Sequence, residues 1–201
     1  MSSIAETKII ELAHAQGFIR PRDVAALGIA PGMPLYRLVR RGVLERSGRG
    51  LYELADAPMA TEHHTYVEIA KRVPAGVICL LSALHFHQLG TQFPHQIWLA
   101  IDQNAHRPRF DYPSVRLFRL SGGAFATGIE THVIEGVLVR VYSPAKTVAD
   151  CFKFRNKVGM DVAIEALHDY IRRRGSIGEL LECARACRVA NLMRPYLEAS
   201  V

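Results

Sequence analysis

The 201-residue chain is 49% apolar and 22% charged, with a formal net charge of +6. That apolar share supports a sizeable core and argues against default disorder, and the length allows one large domain or two small ones. No apolar run approaches the ~18 residues of a membrane span, and no basic start leads into an apolar stretch, so neither a spanning helix nor a secretory signal is expected and the cytoplasm is the expected compartment.

Ser3 and Glu6 have the spacing of a capping box and predict a helix to about Ala15, with Ala5, Ile9, Leu12 and Ala13 inward and Gly17 at its end. Phe18 and Ile19 form a short apolar link that can be extended. Pro21 suits the first turn of a second helix over residues 20–27, and Gly28 suits its exit. From Met33 the sequence MPLYRLVRRG places Leu35, Leu38, Val39 and Gly42 on one side of a third helix and Tyr36, Arg37, Arg40 and Arg41 on the other. Residues 43–46 and 51–54 read as two short strands about the turn Ser47-Gly48-Arg49-Gly50. Three helices and a hairpin over residues 1–56 make a winged helix-turn-helix.

Charge is concentrated there. Residues 31–50 hold five arginines and one acid, a net of +4, and the other 181 residues share +2. A focused basic patch suits nucleic acid better than a uniformly basic surface does. The expected partner is double-stranded DNA. Arg37, Arg40 and Arg41 would approach the major groove and Arg46 and Arg49 would hold phosphates from the wing, with Tyr36 and Arg22 as lesser candidates. The competing reading is an ordinary helix and hairpin with a solvated arginine face.

Residues 55–61 read as a linker, and residues 62–201 as a second, mixed α/β domain with a helical tail; the whole is α+β. Helical spacing is expected over 62–73, with Tyr66, Ile69, Ala70 and Val73 on one side, and again within 77–90, where Ser82 can cap or lie inside. Residues 95–101 are a buried strand and 115–120 an imperfect one, joined by a loop carrying Arg107 and Arg109. The glycine-rich stretch 121–128 lacks the Gly-Lys-Ser/Thr ending of a phosphate loop. Residues 130–142 predict a hairpin turning at Glu135-Gly136. Ser143-Pro144 opens a helix to about Arg155 that would bury Val148, Cys151 and Phe152 and expose Lys146, Lys153 and Arg155. Further helices are expected over 161–174, from a Ser176 cap to about 188, and between 191 and 199, where Pro195 limits the position of the first turn.

No constellation points to catalysis, a metal or a cofactor. His85 and His87 diverge by ~200° on a helix and cannot share a ligand. Asp161, Glu165 and Asp169 form a carboxylate stripe without a histidine partner and read as a solvated face. Lys146 and Asp150 have i,i+4 spacing and read as a structural ion pair. Cys79 and Cys151 lie in apolar stretches, and Cys183 and Cys187 share a helix face without a second ligand pair, so all four read as packed thiols. Arg172 to Arg174, with Arg185, Arg188 and Arg194, form a second basic set that reads as a solvated face or an extended footprint.

GRGLYEL at the wing, LLSALHFHQLG in the middle and YSPAKTVADCFKFRNKVGMDVAIEAL after the hairpin together resemble the AbiEi family of antitoxins from type IV toxin–antitoxin systems. The first piece is generic to winged helices; the other two, in that order, carry the likeness. The resemblance implies a winged helix that binds operator repeats and represses its own operon. It also implies a C-terminal domain that counters a nucleotidyltransferase toxin functionally, without a stable complex. The toxin's activity is not expected here, because Gly175-Ser176 is not followed by an Asp-x-Asp/Glu pair. The alternative is a stand-alone winged-helix regulator whose second domain senses a ligand or dimerises. A homodimer is left open.

Overall fold

The computed structural model describes residues 4–55, 62–110 and 112–200. The Ser3 capping box and most of the linker read at 55–61 lie outside the described residues. The chain divides into two compact units, one comprising Met1–Arg72 with Val133–Leu138 and the other Val73–His132 with Val139–Val201.

In the first unit, α1 (Ile4–Gln16), α2 (Pro21–Ala26) and α3 (Gly32–Arg40) precede the hairpin β1 (Leu44–Gly48) and β2 (Leu51–Leu54). Ile9, Ala13, Ile19, Val24, Leu35, Leu38, Leu44 and Leu54 make the core. Pro21 opens α2 as expected, and the Asp23 carboxylate accepts the Arg20 amide at 2.8 Å to close its first turn. Within the Phe18-Ile19 link, Phe18 is a bend and Ile19 forms a single antiparallel bridge with Tyr52 through bonds of 2.8 and 3.0 Å. The hairpin is antiparallel, with Leu44 opposite Leu54 and an irregularity between Glu45 and Gly48. Gly48 faces Leu51, so Arg49-Gly50 alone makes the turn, and β1 runs further than residues 43–46.

Gly42 departs from the expected pattern. It does not join the buried stripe of α3 but ends the helix, exposed, at φ +67°. The Gly42 amide donates to Val39 O and the Val43 amide to Leu38 O, both at 3.0 Å, which is a Schellman closure. The left-handed residue turns the chain out of the helix and into β1. A Cβ there meets nothing within 4 Å, so Gly42→Ala tests the backbone alone. It is expected to destabilise the first unit by about 1–2 kcal/mol, read as a lower urea midpoint by circular dichroism with an unchanged slope.

Helix α4 (His64–Arg72) groups with this first unit, whereas the sequence reading began the second domain at residue 62. Lys71 Nζ donates to the Phe18 carbonyl, and Arg72 donates to the Ser47 carbonyl at 3.3 Å while pairing with Glu68. The His64 ring lies 3.4 Å from a Glu53 oxygen and 2.9 Å from a Glu135 oxygen. Apart from the i,i+4 pair of Glu68 and Arg72, these ties join residues far apart in sequence, and periodicity carries no sign of them.

The second unit contains β3 (Val77–Ile78), α5 (Leu80–Phe86), β4 (Ile97–Asp102), β5 (Val115–Leu120), α6 (Gly122–Ala126), β6 (Ile129–Ile134) and β7 (Val137–Tyr142) apart from their tip Val133–Leu138, which groups with the first unit, and the helices α7 (Pro144–Lys153), α8 (Arg155–Val158), α9 (Met160–Arg172), α10 (Ile177–Ala186) and α11 (Ala190–Glu198). The strands form one mixed sheet in the order β5-β4-β3-β7-β6. β3 is antiparallel to β4 and parallel to β7, and β4 is parallel to β5 with Ile97 beside Val115. The β6–β7 turn falls at Glu135 and Gly136, both at positive φ, as Glu-Gly between apolar runs predicts. Ser82 lies inside α5, and its hydroxyl accepts the Trp98 amide at 2.9 Å.

Helix α7 is the centre of this unit, packed against α5, α9, α10 and α11. Ser143 caps it by accepting the Lys146 amide, with Pro144 in its first turn. Lys146 was expected to be exposed and is fully buried. Its Nζ lies 2.5 Å from Asp150 Oδ2 and 4.0 Å from the centre of the Tyr142 ring. Asp150 also accepts from Cys187 Sγ at 3.2 Å. The four cysteines are free and buried, as the apolar settings of Cys79 and Cys151 and the shared helix face of Cys183 and Cys187 predicted. The last helix, read between 191 and 199, begins at Ala190 with Pro195 inside it. The stretch 121–128 holds the short helix α6.

Candidate nucleic-acid interface

Helix α3 buries Leu35 and Leu38 and turns the opposite side outward, because residues three and four apart share a helix face. Met33, Tyr36, Arg37 and Arg40 are exposed along that side, Tyr36 at 57% and Met33 at 60% of full accessibility. Met33 belongs to this ridge although the charge pattern did not single it out; its place at i−4 from Arg37 was the available signal. Arg49 occupies the two-residue turn of the hairpin and is exposed, as is Arg46 on β1, whose Nε donates to the Gly48 carbonyl at 3.3 Å. Among the described residues no carboxylate lies in ion-pair range of Arg37, Arg40 or Arg49.

Two of the expected arginines are engaged by the protein itself. Arg41 is the cap residue of α3, and its Nη1 lies 2.8 Å from Glu6 Oε2 on the buried side of α1. It belongs to the joint between α1 and α3 more than to the open ridge. Arg22, in the first turn of α2, is 68% exposed with Asp23 at 3.7 Å. Arg41→Ala removes a partner from a carboxylate that is only 5% exposed. Losing one charge-assisted hydrogen bond to a buried carboxylate costs about 1–3 kcal/mol, so thermal unfolding of Arg41→Ala is expected several degrees below wild type. Glu6→Gln is expected to recover part of that loss in the Arg41→Ala background.

The hairpin is held against α4 by the Arg72 donation to Ser47 O, and Ser47 Oγ bonds Glu53 across the strands. Burial pushes the Glu68 carboxyl up and the Lys71 ammonium down from their ordinary ranges. The Glu68-Arg72 spacing, i,i+4, was the only sign in the sequence of this support.

The other candidate groups are dispersed. His85 packs on Phe93 with ring centres 5.0 Å apart, and His87 Nε2 lies 2.7 Å from the Tyr142 carbonyl. Burial pushes the His87 imidazole below its usual range. Asp169 accepts the Gly90 amide at 2.8 Å and pairs with Arg172, so that part of the carboxylate stripe is structural. Arg173 donates to His87 O at 2.9 Å. Among the described residues no three His, Cys, Asp or Glu side chains are grouped to hold a metal, and no helix is long and apolar enough to cross a membrane.

A helix with a cationic outer face, a turn before it and a hairpin after it define a winged-helix regulator domain, joined here to a mixed-sheet α/β unit. Residues 8–55 match the family described as transcriptional regulator, AbiEi antitoxin, which bears out the AbiEi likeness over the N-terminal unit. The family is one of regulators rather than enzymes. No curated protein matches the chain. The crystal structure of the RV2827C protein from Mycobacterium tuberculosis is similar over 100% of this chain and 78% of that one, with a TM-score of 0.67 and 13% sequence identity. At that identity the likeness is one of fold, and it extends through both units.

Proposed function

We propose that the chain is a DNA-binding antitoxin and autorepressor of a type IV toxin–antitoxin operon. Residues 1–56 read operator repeats, and residues 62–201 oppose a nucleotidyltransferase toxin without forming a stable complex with it. Helix α3 enters the major groove with Arg37 and Arg40 toward base edges and Tyr36 beside them; Arg46 and Arg49 approach the phosphates, and Arg22 and Arg41 flank the contact. The observation that carries the DNA-binding half is the pair Arg37 and Arg40, exposed on one ridge with no acid of the described residues to neutralise them. The antitoxin half rests on the family matched by residues 8–55.

Arg49→Ala is expected to weaken binding to all duplex sequences alike and to flatten the slope of log K against log salt by about one, as loss of one phosphate contact does. Titrations at four salt concentrations on specific and scrambled duplexes read both effects. The antitoxin half is tested by looking for a nucleotidyltransferase gene beside this one, co-expressing its product with the chain and scoring growth. Rescue is the expected result. Operator binding without rescue would make the protein a stand-alone regulator.

A further inference from the structure

The second unit carries a cationic recess separate from the winged helix. The connection from β4 to β5 contains His106-Arg107-Pro108-Arg109-Phe110. With β5 it lines an open cavity of about 1090 Å³, whose wall includes His106, Arg107, Arg109, Phe110, Leu117 and Arg119. β5 is an edge strand of the sheet. Its alternation sends Phe118 and Leu120 into the core and leaves Val115, Leu117 and Arg119 on the cavity. Among the described residues no carboxylate lines the wall. Asp102, at the end of β4, has one oxygen on the Asn104 amide at 2.8 Å. Arg119 donates to the Gln103 carbonyl, which fixes its guanidinium without neutralising it. Arg107 and Arg109 are exposed, and no carboxylate of the described residues is in ion-pair range of either.

We propose that this recess binds single-stranded nucleic acid. Three guanidinium groups supply a positive lining that a phosphate backbone would follow, the His106 imidazole adds a hydrogen-bonding group, and the half-buried Phe110 ring beside Pro108 offers an apolar face on which a base can stack. The shape chooses the strand over the duplex. Duplex is read by elements that protrude into its grooves, as α3 does, whereas a recess admits a single extended strand with its bases unstacked. An acidic peptide would answer the charge but leave the ring and proline surface without a planar partner.

The test is fluorescence anisotropy of the full chain with labelled ten-nucleotide oligothymidine, ten-nucleotide oligouridine and a DNA hairpin duplex. Both single strands are expected to bind, and the tighter of the two identifies DNA or RNA as the source. Arg107→Ala/Arg109→Ala/Arg119→Ala is expected to weaken single-strand binding at least tenfold and to flatten its salt slope by about two. Phe110→Ala is expected to weaken it about tenfold, and Arg37→Ala/Arg40→Ala to leave it unchanged. The replaced arginines are surface groups, and circular dichroism verifies that the variants are folded. The proposal is overturned if neither oligonucleotide binds at tens of micromolar protein, if the triple variant binds as wild type does, or if binding follows Arg37 and Arg40. Displacement by polyglutamate as effective as by unlabelled oligonucleotide would also overturn it, in favour of an acidic peptide. Loss of function in the recess variants leaves duplex recognition by α3 untouched, because the two residue sets are disjoint.

Discussion

Arg37→Ala/Arg40→Ala is expected to lower affinity for a specific duplex roughly hundredfold or more while leaving the fold intact. The size follows from chemistry. Each guanidinium that meets a guanine edge through two bonds contributes about 1–3 kcal/mol of discrimination, and α3 presents two on one outward side. Stability should not change, because both side chains are exposed and the core face of the helix is carried by Leu35 and Leu38. The measurement is anisotropy on a duplex selected from a random pool, with a scrambled duplex beside it. Base readout predicts that the ratio of specific to scrambled affinity collapses in the double variant and survives in Arg49→Ala. A double variant that keeps both its affinity and its selectivity would remove α3 from the interface.

Arg41 separates helix-face reasoning from its limit. The sequence places it beside Arg40, and a helical wheel assigns it to the same outward set. In the structure it caps α3 and turns to Glu6, 35 positions earlier. No local pattern reveals that pair, because it depends on α1 lying against α3. Gly42 fell into the same gap: its spacing fits a buried stripe, but a glycine one turn past Leu38 also fits a left-handed stop, and the Val43 amide reaching back to Leu38 selects the stop. What periodicity and turn chemistry govern alone was legible. The Glu135-Gly136 turn, the Ser143-Pro144 cap and the buried strand at β4 all appear where the sequence places them. The Lys146-Asp150 pair was legible as a pair from its i,i+4 spacing. Its depth was not, because that is set by α5, α9, α10 and α11 closing over α7. The recess beside β5 was visible only as two arginines in a loop, since its third, Arg119, comes from an edge strand ten residues after Arg109.

Lys146→Met is expected to destabilise the second unit by about 3–5 kcal/mol, a large share of the roughly 5–15 kcal/mol that holds a domain together. Lys146 and Asp150 are 0% and 1% exposed, so removing the ammonium strands a carboxylate with Cys187 as a weak remaining donor. The single tryptophan, Trp98, is buried in this core, and its fluorescence therefore reports the affected unit. The effect should depend on pH with a definite sign. Burial already pushes the Asp150 carboxyl above its ordinary 3.8, while Lys146 opposes the shift. The folded state thus holds that proton more tightly than the unfolded chain, so this group's contribution to stability falls as pH rises above the ordinary value. Without Lys146 the shift grows and the window widens upward. The deficit of Lys146→Met should therefore be larger at pH 8 than at pH 5, where protonation of Asp150 relieves the unpaired charge. Lys146→Met/Asp150→Leu removes both charges and should regain most of the loss at both pH values, since an apolar replacement of a buried pair is close to neutral. Equal deficits at pH 5 and pH 8, or a double variant no better than the single, would mean that the ammonium stabilises α7 through its packing on Tyr142 and not through Asp150.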